Sequence, residues 1–143
     1  MKWDPDNQNL ADLEQSAQLY SVAYNVSQLI HRPFIQPADE KSTSSIPSLA
    51  ICTRAARSCA NVLNVARKHR MVLMPGSVNA AFASAITLVI ASWSALSAGA
   101  KLDYNAVLLD ADKCVRYIMM VEHIYIVAGR LVSVGNSFLM CRC

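Results

Sequence analysis

The amino-acid sequence predicts an all-α protein, a bundle of about four helices that forms part of a larger helical domain. Three observations lead there. Apolar residues recur at alternating steps of three and four in the long segments, the spacing that keeps a stripe on one face of a helix at ~100° per residue. No segment shows the alternation of a strand or the turn of a hairpin, and no internal repeat is present. Pro33, Pro75-Gly76 and Gly99 divide the 143 residues into four stretches.

The first helix is expected over Leu10 to Arg32. Leu13, Ala17, Tyr20 and Tyr24 form one flank, and Leu19, Val22, Val26 and Ile30 form an adjacent one. Such a wide apolar band implies packing against more than one neighbour. Pro33 disfavours helical geometry at Arg32 and ends the element, with His31 and Arg32 complementing the negative end of the helix dipole. Phe34 and Ile35 are expected to turn inward. The polar stretch from Gln36 to Ser45 carries Pro37 and reads as a solvated loop.

The second helix, Ile46 to Arg70, organises the rest. Leu49, Cys52, Ala56, Cys59, Leu63 and Ala66 make a dry stripe, and Arg54, Arg57, Asn61, Asn64 and Lys68 face the other way. Ser45 is the expected N-cap, Pro47 fits a first turn, and the closing Arg67-Lys68-His69-Arg70 suits the C-terminus. Ala50, Ala55, Ala56, Ser58 and Ala60 are small enough to let neighbouring helices come close.

Met71 to Ala100 contains no charged residue. The stretch is long enough for the roughly 20 residues of a bilayer span. Against a span stand Pro75-Gly76 near one end and Asn79, Ser84, Thr87, Ser92, Ser94 and Ser97 through the rest. A central helix surrounded by other helices is therefore expected, with a membrane-associated helix over Ser77 to Ala98 as the alternative. Lys101 to Asn105 forms a turn in which Asp103 or Asn105 can cap. The last helix carries Val107, Ala111, Cys114, Ile118, Val121, Tyr125 and Ala128 on one stripe, with Asp112–Arg116 and Asp110–Lys113 pairs on its surface.

Apolar residues make up 54% of the chain, above the roughly 45–50% usual for soluble domains, while charged residues make up 16% against about 25%. The excess must be covered by something, either more of the same chain or a partner. A net charge of +3 is spread over the helices instead of forming a sustained basic run, which argues against a nucleic-acid surface. The first fifteen residues hold four acidic side chains and no apolar core, so no secretory signal is expected there. Five cysteines, Cys52, Cys59, Cys114, Cys141 and Cys143, are odd in number and lack paired spacing, unlike a disulfide framework.

Catalytic and metal-binding chemistry finds no foothold. The chain has no nucleophile elbow, no Gly-rich phosphate loop and no histidine pair at metal spacing; His31, His69 and His123 are isolated. Cys52 and Cys59 sit two turns apart, ~10 Å at 1.5 Å rise, too far to share one tetrahedral ion. Met71, Met74, Met119 and Met120 read as core filler. No catalytic, cofactor or metal residue is assigned, and no enzymatic activity is expected.

A set of motifs in order nevertheless stands out. His31-Arg32-Pro33-Phe34-Ile35 is followed, after the polar loop, by Ser48-Leu49-Ala50-Ile51-Cys52 and Ala55-Ala56-Arg57-Ser58-Cys59. Leu88-Val89-Ile90-Ala91-Ser92-Trp93 comes next, then Asp110 with Cys114, then Glu122, Tyr125, Ala128, Gly129 and Arg130. This order resembles the regulatory region (middle homology region) of fungal-specific transcription factors of the binuclear zinc cluster type, over about three quarters of the chain, from Leu19 to Leu131. Tyr125 stands where the family has Trp. The six-cysteine zinc cluster that reads DNA in this family, with its Cys-x2-Cys pair, is missing, as is the earlier part of the regulatory region. What the resemblance implies is a C-terminal portion of a regulatory module, residues 1–131. It would be nuclear, contact protein partners, an effector or the remainder of its domain, and reach DNA only through a zinc cluster that this chain lacks. A small membrane-associated helical protein and a non-functional gene fragment are the alternatives; a standalone fragment would be cytoplasmic.

Residues 132–143 do not resemble the family's helical continuation. Val132-Ser133-Val134 matches the in-frame translation of a common splice-donor sequence, and the expectation is that this tail is intron read-through or a frameshifted end. Transcript sequencing checks it: a spliced message that departs from the coding frame at codon 132 is the expected result, and one that retains codons 132–143 and then stops contradicts it.

Overall fold

Asn9 starts the first helix. Its side-chain oxygen accepts the Ala11 N–H at 3.2 Å, and its amide nitrogen donates to Asp12 Oδ2 at 2.9 Å, in the geometry of an N-cap. The computed structural model describes residues 3–6, 9–35, 45–97 and 104–125. These form α1 (Leu10–His31), a 3-10 turn (Arg32–Phe34), α2 (Ser45–Lys68), α3 (Gly76–Ser97) and α4 (Tyr104–Val121). Among the described residues there is no strand, and the all-α class of about four helices holds.

The boundaries follow local chemistry. Pro33 sits inside the 3-10 turn, where its fixed φ is tolerated and α-helical continuation is not. Helix α2 closes with Arg70 at φ 53°, the left-handed conformation of a C′ residue. Around it, Arg70 N–H reaches Arg67 C=O at 3.1 Å and Met71 N–H reaches Ala66 C=O at 2.9 Å, the paired bonds of a Schellman motif. Two expectations about helix ends change: Ser45 is the first residue of α2, and the last helix ends at Val121, four residues before Tyr125. Of the two candidate caps of α4, Asn105 is its second residue and Asp103 lies outside the described residues.

Helix α2 touches α1, α3 and α4, and α3 likewise touches the other three, whereas α1 and α4 do not meet. The arrangement therefore has α2 and α3 on the short diagonal and α1 and α4 at opposite corners. Small side chains permit that diagonal: Ala55, Ala56, Cys59 and Ala60 of α2 and Ala80, Ala81 and Ser84 of α3 are all buried. The expected α2 stripe is buried from Cys52 through Ala66, with Leu49 half-buried at its start.

Two expectations about burial are overturned. Helix α3 is packed on one side only: its core face is Ser77, Ala80, Ala81, Ser84, Leu88 and Ala91, while Ile90, Trp93 and Leu96 face outward. On α1, Leu13 and Ala17 are buried, but Leu19, Val22, Val26 and Ile30 are exposed, and Phe34 points out instead of in. Both misreadings share a cause. Apolarity alone does not say which of two apolar faces has a neighbour, and the described bundle supplies a neighbour for only one. Met74 and Met119 are likewise exposed, leaving Met71 and half-buried Met120 as the core methionines.

Candidate functional site

The polar groups inside this bundle converge at three places. The first begins with Gln28, an α1 residue only 3% exposed. Its amide donates to Ser84 Oγ of α3 at 2.9 Å, and its amide oxygen accepts from Thr87 Oγ1 at 3.1 Å. Its backbone carbonyl accepts from the Cys52 thiol of α2 at 3.8 Å. Ser84 lies close enough to Cys59 of α2 to favour its thiolate, so α1, α2 and α3 meet around one buried hydroxyl. Each member has a partner, as a buried polar group requires.

Cys114 of α4 lies within electrostatic range of Cys59. Burial pushes the Cys59 thiol up to about 11, with the Ser84 hydroxyl opposing the shift. Burial pushes Cys114 well above its ordinary range too, reinforced by Cys59 and Asp110 and opposed by Lys113. Cys52 is raised by burial and lowered in part by Arg32. Nucleophilicity belongs to the thiolate, so these three thiols are protonated and inert near neutral pH. They serve as small core residues.

The second convergence is the seam between α2 and α4. Asp110 is 5% exposed and receives Arg57 Nε at 2.8 Å and Lys113 Nζ at 2.6 Å. Lys113 also donates to Asn61 Oδ1 of α2 at 2.9 Å. A nearly buried carboxylate thus holds two cations and ties two helices together. Arg57 is 48% exposed, so solvent screens part of the attraction. The expected Asp112–Arg116 pair forms on the α4 surface at 2.5 Å.

A third set of contacts fixes the connector between α2 and α3. Tyr117 is fully buried; its hydroxyl accepts the Leu73 N–H at 3.2 Å and lies 3.0 Å from Ser77 Oγ. Burial raises the Tyr117 phenol above its ordinary value. Tyr125 donates to the Leu73 carbonyl at 3.1 Å, and Gln18 Oε1 accepts the Met74 N–H at 2.8 Å. The aromatic at position 125 therefore has a hydroxyl-dependent role that its motif position did not reveal.

The motif residues fall into two groups. Arg57, Cys59, Asp110 and Cys114 come together between α2 and α4, with Cys52 two turns before Cys59, beside Gln28. Trp93 stays apart, half-exposed on the outer side of α3, and Glu122 is exposed beyond the end of α4. Ala128, Gly129, Arg130, the tail from Val132, and Cys141 and Cys143 lie outside the described residues. His123 is exposed in the turn after α4 instead of on its flank, and His31 and His69 lie at helix ends. Among the described residues, no group of three or more His, Cys, Asp or Glu side chains is placed to hold a metal ion. Comparison of the chain with protein-family models, curated proteins and solved structures finds no match.

Replacing Tyr117 with Phe keeps the ring and removes the hydroxyl, which leaves the buried Leu73 N–H without its acceptor. The expected loss of stability is about 1–3 kcal/mol, measured by urea denaturation with helical circular dichroism retained in the native state. A denaturation midpoint equal to that of the parent would contradict this role.

Proposed function

We propose that this chain is the C-terminal portion of the regulatory region of a fungal transcription factor of the binuclear zinc cluster type. On this reading it works without catalysis, through contacts with the remainder of its domain, a protein partner or an effector. The supporting observation is the meeting of Arg57 and Cys59 with Asp110 and Cys114, motif residues of α2 and α4 that stand 53 positions apart at the Arg57–Asp110 pair. Residues selected by their order in the sequence thereby acquire one structural task, the joining of two helices. The outward apolar faces of α1 and α3 fit a segment whose natural neighbours lie in a larger helical domain.

The nucleus is the corresponding location, and DNA would be reached only through a zinc cluster elsewhere in the factor. The dispersed cations of this chain suit that division. Arg57 and Lys113 are engaged with Asp110, and Arg116 with Asp112.

A second reading is favoured by α3 itself. Gly76–Ser97 is long and apolar enough to cross a membrane by length and composition, and 39% of its most apolar window is buried. On that reading the chain is a small membrane-associated helical protein. Recovery in carbonate-resistant membranes separates it from the regulatory fragment.

The regulatory reading predicts a helical circular-dichroism spectrum for the purified chain and no sequence-specific shift of duplex DNA. It also predicts an in-frame six-cysteine coding region in the genomic DNA upstream of Met1. Specific nanomolar binding to a duplex at physiological salt, or stop codons throughout the upstream frame, would contradict it.

A further inference from the structure

We draw no further inference here: the strongest candidate, the apolar outer face of α3 where Ile90, Trp93 and Leu96 are exposed, carries nothing further because nothing among the described residues shows what covers it.

Discussion

The contact between α2 and α3 is the constraint on which the described bundle depends. Because the backbones of α1 and α4 do not approach each other, the links between them run through those two helices and the connector that joins them. The contact is made close by small residues, with the Ser84 hydroxyl set beside the Cys59 thiol. Ser84 is also where Gln28 docks, so the register of α1 is tied to the same point. A buried serine would be a liability on an apolar helix if unpaired; here the Gln28 amide satisfies it.

From this diagonal the outer helices are secured by different means. Helix α4 is held by the Asp110 carboxylate gripping Arg57, by Lys113 reaching Asn61, and by Cys114 near Cys59. Helix α1 relies on Leu13 and Ala17 in the core and on Gln28 and Gln18 as polar anchors. The Met71–Pro75 connector is bound from both sides, by Gln18 of α1 and by Tyr117 and Tyr125 from the α4 side. Its two buried apolar residues, Met71 and Leu73, explain why so short a link carries so many bonds: peptide groups drawn inward with them must be paired.

Much of this was legible before the structure. The α2 stripe, the break at Pro75-Gly76, the local Asp110–Lys113 and Asp112–Arg116 pairs and the helical class all follow from spacing. Two kinds of feature did not. The Arg57–Asp110 pair and the Gln28–Ser84 bond join residues more than fifty positions apart, and nothing in local periodicity links them. The outward faces of α1 and α3 were misassigned because Leu19, Val22, Ile90 and Trp93 look like core to any reading based on hydropathy. The asparagine cap at Asn9 could have been found from its place before the first apolar residue.

Those outward faces and the buried diagonal make separable contributions, and the diagonal is the central element of this account. Substituting Ser84 with Leu overfills the α2–α3 contact and removes the shorter of the two hydrogen bonds of the Gln28 amide nitrogen, whereas Trp93→Leu alters only the outer side of α3. In urea denaturation the account predicts that Ser84→Leu costs about 2–4 kcal/mol or prevents cooperative folding, and that Trp93→Leu changes stability by less than about 1 kcal/mol. Equal stability of the Ser84→Leu variant and its parent would contradict it.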